Sequence, residues 1–281
     1  MSESFSDAVV SHDGSCNDNN VDVFNGASVH EKFVRALLLG DLVLCERELY
    51  DKLLNLGFDL GVKYACLVIK VSEKEVDIRE VRKLVAFLFF RKTDFILSFF
   101  NREVVLVKSL YGNISRKDLE NLAQSIRSSL QKYRIVSCSI GIGTIVKNIQ
   151  KITKSYKEAE ISSQICEIFF TKKRIASYEN LGIARLIHHL PVTVCKSYLK
   201  EVFDFDFSDF ADENIEFAVQ KLFESNLNLS EAAKRLFVHR NTLVYRFSRL
   251  KKKTGFDIRN FEDAMLLKMA MIVKRRLLYE D

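Results

Sequence analysis

The sequence has little of several residue types and patterns, and each shortage excludes a class of protein. Among 281 residues there is one proline and no tryptophan, so Pro-rich linkers are not expected. The longest apolar windows, 84–90 and 269–273, are far shorter than the roughly 20 residues that a membrane-spanning helix needs. No basic segment precedes an apolar one at the N-terminus, so we expect neither a secretory signal nor a membrane partner.

Cysteine and histidine are present without the spacing that metal or catalytic sites need. The cysteines form no Cys-x-x-Cys pair and lie at Cys16, Cys45, Cys66, Cys138, Cys166 and Cys195. Free thiols in a reducing cytoplasm are the simplest interpretation. His188 and His189 have no cysteine or carboxylate at ligand spacing, which favours a helix end over a metal site. No nucleophile, base and acid form a recognisable set, so we expect a cytoplasmic protein that is not an enzyme and uses neither cofactor nor metal.

Positive charge is concentrated in the last quarter of the chain. From Asn214 to Asp281 there are 14 Lys and Arg residues and 8 Asp and Glu residues. The whole chain has 43 and 37, so residues 1–213 contain 29 of each and are neutral overall. A local excess of this kind is typical of a module that binds a polyanion such as DNA. A solvated helical face is the alternative interpretation, because Lys and Arg favour helices.

Residues 227–258 follow the pattern of a helix-turn-helix. Ser230 can cap a short first helix. The apolar side chains of that helix are Ala232, Ala233 and Leu236. A break at 237–239 precedes a second helix that begins near Arg240. The second helix has apolar side chains at i, i+4 and i+7, which predict one buried stripe: Leu243, Phe247 and Leu250.

The opposite face of the second helix predicts a surface that reads DNA. Its polar and basic residues recur at helical spacing, and they are Thr242, Tyr245, Arg246, Arg249 and Lys253. Arg240 and Asn241 lie at the leading end, where a recognition helix meets base edges. Arg can bond guanine through two hydrogen bonds, Asn can bond adenine, and Thr or Tyr can reach base or phosphate. Together with Ser230, these residues are the predicted DNA-binding set.

Residues 62–178 alternate strands and helices. The strands are predicted at 64–71, in a hairpin over 94–108, at 135–143 and at 174–178. The helices are predicted at 77–90, from a capping box at 115–118 onwards, and at 149–168. The order βαββαβ matches a ferredoxin-like sheet that helices cover on one face. The expected fold class is therefore α+β, with this domain followed by an all-α helix-turn-helix domain.

The chain is expected to have four segments. Residues 1–28, with five acidic residues and no Lys or Arg, predict a disordered acidic tail, or else a competitor for the basic module. Residues 29–178 hold a helical lead-in and the α/β domain, 179–213 a helical linker with a hinge over 203–214, and 214–281 the helix-turn-helix domain. The last helix, 262–277, is apolar nearly all round, which predicts burial in a core or in a subunit interface.

The C-terminal residues resemble those of the PucR/CdaR family of bacterial transcription regulators. The matching segments are Leu229–Leu236, Val238–Phe247 and Thr254–Ile258. The middle region is similar to the GGDEF-like domain that precedes the helix-turn-helix in this family, through Ala36–Gly40, Leu56–Leu60 and Ser139–Gly143. Family members often carry an N-terminal sensor domain, and here only some 28 polar residues stand in its place. The effector is therefore not predicted.

The GGDEF-like region lacks the residues that a cyclase needs, which are two glycines for backbone approach and acidic groups for metal and phosphates. The corresponding hairpin, Phe99–Glu103, has no glycine and a single acid beside an arginine. Lys70 stands at the strand end where a metal-binding carboxylate is wanted. We therefore predict no cyclase activity, and a degenerate nucleotide-binding or dimerising module stays open. The glycines of 139–143 are interpreted as a strand end rather than a phosphate loop.

The sequence thus predicts a homodimeric transcription regulator that binds double-stranded DNA, with the helix near Arg240 in the major groove. The middle domain is the favoured dimerisation surface. Two alternatives from other classes remain. One is a Fis-like architectural DNA binder, and the other is a nucleotide-sensing adaptor that uses the GGDEF-like domain.

Overall fold

The computed structural model describes residues 29–91, 93–99, 102–169, 174–202 and 213–280. The predicted acidic tail, and residues 203–212 of the predicted hinge, lie outside these ranges. Contacts divide the chain into two compact units, one that ends at Arg185 and one that begins at Leu186. The first contains a five-stranded sheet with helices, and the described part of the second is helical. The fold class is therefore α+β.

The first unit is built on its sheet. Its elements are α1 (Val29–Leu39), α2 (Glu46–Asn55), β1 (Lys63–Val71), α3 (Ile78–Phe89), β2 (Phe95–Phe99), β3 (Glu103–Leu110), α4 (Arg116–Lys132), β4 (Cys138–Ile142), α5 (Ile152–Phe169) and β5 (Ile175–Ser177). The strand order is β2-β3-β1-β4-β5. All neighbouring strands are antiparallel except β4 and β5, which are parallel.

Helices cover both faces of this sheet, so the prediction of a sheet covered on one face is wrong. Along β1, Tyr64, Cys66 and Val68 face a core with α1, α2 and α5. The alternate residues Ala65 and Leu67, with the rest of their face, pack against α3 and α4. A strand with side chains buried on both faces is a continuous apolar run, and β1 has that character. The lead-in helices α1 and α2 thus belong to the core of the first unit.

Two glycines let α5 lie directly against β4. A Cβ atom on Gly141 would stand 1.9 Å from the carbonyl oxygen of Ala159, and one on Gly143 would stand 1.9 Å from that of Ser155. At this closest approach the Ser155 hydroxyl accepts a hydrogen bond of 2.9 Å from the amide of Cys66. The interpretation of these glycines as part of a strand end is confirmed, and their place is under a helix.

The second unit is a set of packed helices. They are the end of α6 (Ile183–His189), α7 (Val192–Val202), α8 (Glu213–Glu224), α9 (Leu229–Arg235), α10 (Arg240–Thr254) and α11 (Phe261–Glu280). Their main core contains Leu222, Ala233, Leu243, Phe247 and Leu267 among its buried side chains. None of the described helices is long and apolar enough to cross a membrane.

The last helix is less uniformly buried than its composition predicts. In α11 the side chains of Ala264, Leu267 and Ala270 are buried, while Met265 is 47% and Leu278 67% exposed. One side of α11 closes the helical core, and Val273 packs with Cys195 of α7 in a second cluster. Burial in a core, one of the two predicted surroundings of this helix, is therefore found for this side, and a subunit interface at its exposed side chains stays a prediction.

Candidate nucleic-acid interface

Asn228, rather than Ser230, begins the first helix of the helix-turn-helix. The Asn228 side chain accepts hydrogen bonds from the backbone amides of Ser230 and Glu231, at 3.0 and 3.1 Å. Ser230 lies inside the first turn of α9 and is exposed. The prediction that Ser230 caps this helix is therefore wrong. Asn is one of the strongest N-cap residues, and its oxygen reaches the N2 and N3 amides from a position two residues earlier.

A tight turn separates α9 from α10. Phe237 takes a positive φ of 54° in this turn, and its side chain is 96% exposed. The imidazole Nδ1 of His239 then accepts a hydrogen bond from the backbone amide of Asn241, at 3.2 Å. This bond makes His239 the N-cap of α10, which begins at Arg240 as the sequence predicts.

The two faces of α10 differ as predicted. Leu243, Phe247 and Leu250 are at most 3% exposed, and together they hold α10 against the helical core. Burying each of these side chains contributes about 1.5–3 kcal/mol. The predicted DNA-contacting residues of α10 are accessible, with Arg246 partly exposed and the following exposed: Arg240, Asn241, Thr242, Tyr245, Arg249 and Lys253. Five of them share one accessible face of α10, with Arg240 and Asn241 exposed at its leading end, and the role of all seven in DNA binding stays a prediction.

The exposed face of α10 is strongly positive. The helix contains six basic residues and no acidic one. Within the described part of the chain, neither Arg240, Arg246 nor Arg249 forms an ion pair. Lys251 is different, because its Nζ lies 3.1 Å from Oδ2 of Asp257. The positive potential of the leading half of α10 is thus available to an external anion.

The far end of α10 is held by an acidic residue. Asp257 accepts hydrogen bonds from the Nε and Nη2 atoms of Arg259, both at 2.7 Å. The Arg259 guanidinium holds the pKa of Asp257 well below its usual range. The helix ends at Gly255 with a φ of 78°, and its three last-turn lysines complement the negative end of the helix dipole.

In the first unit, the hairpin between β2 and β3 occupies the place of a GGDEF turn. Of the predicted hairpin, residues 100 and 101 lie outside the described ranges. Arg102 has a φ of 59°, and its guanidinium donates hydrogen bonds to four backbone carbonyls. The acceptors are Val71 at 3.3 Å, Lys74 at 3.3 Å, Val76 at 2.8 Å, and Glu73. The arginine beside the single acid therefore ties the hairpin to the chain that follows β1.

Next to this hairpin lies a group of titratable side chains that are buried or partly buried. Lys70 Nζ lies 2.9 Å from Oε2 of Glu167, so the strand-end lysine is engaged in an ion pair. Glu103, opposite Lys70 in the sheet, is 2% exposed. Burial, reinforced by the charge of Glu160, raises the pKa of Glu103 to about 7. A carboxyl group in this setting is poorly suited to hold a divalent cation, which prefers ionised and accessible oxygens.

Sequence reasoning missed both helix caps and the role of Arg102. Asn228 carried a signal, because Asn before an apolar-periodic segment is a typical helix start. His239 carried none, because His is not among the favoured N-cap residues. The four carbonyls that Arg102 contacts come together only through the fold.

Two domain families match this chain. Residues 218–273 match the PucR C-terminal helix-turn-helix domain. Residues 44–165 match the GGDEF-like domain. The first match contains α9 and α10 complete, and the second contains the sheet up to β4 together with most of α5.

Curated relatives agree with these matches. The purine catabolism regulatory protein of Bacillus subtilis is 25% identical over 138 residues, which are 49% of this chain and 26% of that protein. The carbohydrate diacid regulator of Escherichia coli is 23% identical over 176 residues, covering 60% of this chain and 45% of that protein. The DNA-binding transcriptional activator AdeR of Bacillus subtilis is 26% identical over 171 residues, covering 57% and 39%. The chain thus spans between a quarter and just under half of the length of these relatives.

Among solved structures, the regulator of polyketide synthase expression from Bifidobacterium adolescentis aligns over 90% of this chain and 93% of that chain. Its TM-score is 0.41 and its sequence identity 16%, which is too distant to bear on fold or function. The two domain matches and their order carry the assignment. The chain therefore contains a GGDEF-like domain followed by a PucR-type helix-turn-helix domain, and it is similar to the purine catabolism and carbohydrate diacid regulators.

Proposed function

We propose that this protein is a sequence-specific DNA-binding transcription regulator that reads the major groove of double-stranded DNA with α10. One observation carries the proposal. The face of α10 that contains Arg246 and Arg249 is accessible and has no acidic neighbour on the helix, Arg240 and Asn241 are exposed at its leading end, and the opposite face is buried. The names of the relatives, which include two regulators and a DNA-binding activator, support the same function.

The leading end of α10 supplies the base contacts in this proposal. A recognition helix enters the major groove with its N-terminal residues nearest the base edges. Arg240 and Asn241 have the side chains for bidentate contacts to guanine and adenine. Lys253, at the other end of the helix, and Ser230, at the start of α9, are placed for phosphate contacts. Phosphate contacts fix the orientation of the protein on the duplex, and the base contacts select the sequence.

Footprinting on genomic fragments tests this function and separates it from the Fis-like alternative. A regulator protects a few discrete operators with a shared sequence. An architectural protein protects degenerate sites and bends them. Discrete protection without strong bending is the expected result, and weak, evenly distributed protection would contradict the proposal.

We further propose that the protein acts in the cytoplasm as a homodimer on paired half-sites. One helix-turn-helix reads only a few base pairs, and two units related by a two-fold axis provide the specificity that a genome demands. Sedimentation of the full chain with and without an operator duplex measures this. Two chains per operator, with half-sites about one helical turn apart, are expected. A single chain on a fully occupied operator would contradict the dimer.

The first unit is, in this proposal, a degenerate ferredoxin-like GGDEF-like domain without enzymatic activity. The antiparallel order of β2, β3, β1 and β4 supports the ferredoxin-like assignment. The ion-paired Lys70 and the tethered Arg102 support the loss of cyclase chemistry. Such a domain can still serve as a dimerisation surface.

A further inference from the structure

A cleft lies at the β5 edge of the first unit, the opposite edge of the sheet from β2. It has a volume of about 450 Å³. Its walls are one face of α4, the strand β5 and the 3₁₀ helix Tyr178–Asn180. The residues that line it are Glu120, Gln124, Arg127, Arg174, Ile175, Ser177 and Asn180. The three residues from α4 stand at i, i+4 and i+7, so they share one side of that helix.

The acidic residue of the cleft, Glu120, has both hydrogen-bond partners and an ion-pair partner. Oε1 of Glu120 accepts hydrogen bonds from the Ser177 hydroxyl at 2.7 Å and from the Asn180 amide at 3.2 Å. The same oxygen lies 3.6 Å from Nε of Arg116. Glu120 therefore links α4 to Ser177 and Asn180 in the wall of the cleft. Its negative charge is balanced by Arg116, which does not line the cleft.

The two arginines of the cleft, Arg127 and Arg174, differ from Glu120 in their ion pairing. Neither Arg127 nor Arg174 forms an ion pair with an acidic residue in the part of the chain that the structure describes. The Nε atom of Arg127 is buried and has no hydrogen-bond acceptor among the described residues. The positive charges of both guanidinium groups lower the pKa of the same thiol, Cys138, and so partly offset the rise in that pKa that burial causes. Two positive groups thus converge on one small space.

We propose that this cleft binds a small organic anion that carries a carboxylate or a phosphate group. The guanidinium groups of Arg127 and Arg174 contact the charged group, and the side-chain amides of Gln124 and Asn180 contact polar atoms of the ligand body. Guanidinium groups bind planar carboxylates and phosphates through paired hydrogen bonds. The volume lies within the range of small-molecule sites, about 300–1,000 Å³. The proposal does not depend on DNA binding, since all lining residues belong to the first unit.

Nuclear magnetic resonance of the ¹⁵N-labelled full chain tests the proposal with two separate probes, inorganic phosphate and succinate. The signals to follow are the Gln124 and Asn180 side-chain amides and the Ile175 backbone amide. We expect at least one probe to shift these signals saturably, beyond the effect of sodium chloride at equal ionic strength. The probe that binds more tightly identifies which anionic group the cleft prefers.

Three variants make the result specific. R127Q/R174Q should weaken binding at these signals by about tenfold or more, because each charged hydrogen bond lost is worth at least a factor of that order. R127K/R174K keeps both positive charges but cannot form the paired hydrogen bonds of a guanidinium group. Its affinity for the probe should therefore lie between that of the wild type and that of R127Q/R174Q. If R127Q/R174Q does not fold, weaker binding by R127K/R174K than by the wild type is the deciding result. R246Q removes a charge from α10 and should leave these signals unaffected. Shifts no larger than those with sodium chloride, or undiminished in R127Q/R174Q, would overturn the proposal.

Discussion

The backbone amide of Asn241 donates a hydrogen bond of 3.2 Å to Nδ1 of His239, and this bond begins the helix that we propose reads DNA. A capping residue satisfies an amide that would otherwise have no partner in the first turn. The same contact sets the direction in which Arg240 and Asn241 leave the turn. Stability of α10 and placement of its leading side chains are thus linked through one imidazole.

Replacing His239 tests this link. His239→Ala should lower the free energy of unfolding by about 0.5–2 kcal/mol, the usual contribution of an N-cap. His239→Asn provides the matched control, because the Asn oxygen can accept the same hydrogen bond. Urea denaturation followed by circular dichroism measures both variants. Equal stability of the wild type and the Ala variant would show that the cap contributes nothing.

The basic face of α10 should determine DNA affinity. Arg246→Ala is expected to weaken operator binding by about 1–3 kcal/mol if Arg246 contacts a base. If it contacts a phosphate instead, the slope of log affinity against log salt should fall by about one. Fluorescence anisotropy over a salt series distinguishes the two results.

The double variant Arg240→Ala/Arg246→Ala should lose operator binding while it keeps its fold. K117A/K132A, which removes the same charge from exposed positions on α4, is the control and should bind as the wild type does. Operator affinity that is unchanged in the folded Arg variant would falsify the assignment of α10 as the reading helix.

The close approach of α5 to β4 makes a strong prediction for stability. Gly141→Ala places a methyl group 1.9 Å from the Ala159 carbonyl oxygen, a backbone atom that can move only with its helix. Overpacking of this kind typically lowers stability by about 1–3 kcal/mol or more. Gly61→Ala is the control, because its Cβ would meet only the flexible side chain of Asp59, at 3.3 Å. Thermal unfolding should show a large fall for Gly141→Ala and a small change for Gly61→Ala.

Glu103 should give the first unit a distinctive pH dependence. Its pKa rises from 4.5 to about 7 on folding, chiefly through burial. Between pH 4.5 and about pH 7, Glu103 is ionised in the unfolded chain but still protonated in the folded protein. The free energy of unfolding therefore falls as the pH rises through this range, and it stops falling above about pH 7. Glu103→Gln removes this loss. The stability of the variant relative to the wild type should therefore rise by up to about 3 kcal/mol between pH 4.5 and pH 8. A pH-independent difference in urea denaturation would show that Glu103 ionises normally in the folded state.

Purified protein incubated with GTP and Mg²⁺ or Mn²⁺ should form no cyclic dinucleotide. The reason is the ion-paired Lys70 and the buried Glu103 at the place where metal-binding carboxylates are required. Chromatography of the nucleotides measures turnover. Turnover that Glu103→Ala abolishes would contradict the inactivity itself. Turnover that survives this substitution would place the active residues elsewhere.

The spacing of residues along the chain correctly predicted the features that depend on a single helix. The spacing of Leu243, Phe247 and Leu250 predicted the buried stripe of α10, because side chains four and seven residues apart share a helix face in any surroundings. The capping box was also predicted, because Ser115 and Asp118 are only three residues apart and contact each other within one helical turn. Both of its hydrogen bonds are present. The start of α9 was misjudged by two residues, because Asn228 and Ser230 are both good caps and only backbone geometry selects between them.

The sequence by itself determined the element order, the positive charge of the last quarter and the two faces of α10. These properties depend on residues that are near one another along the chain. Only the tertiary structure decided that helices cover both faces of the sheet, because β1 is equally apolar on its two sides and periodicity cannot assign partners to them. It also brought Arg127 and Arg174 to one cleft and Arg102 to four carbonyls. Contacts of that kind join distant parts of the chain, and they exist only once the sheet has set the distance between its helices and loops.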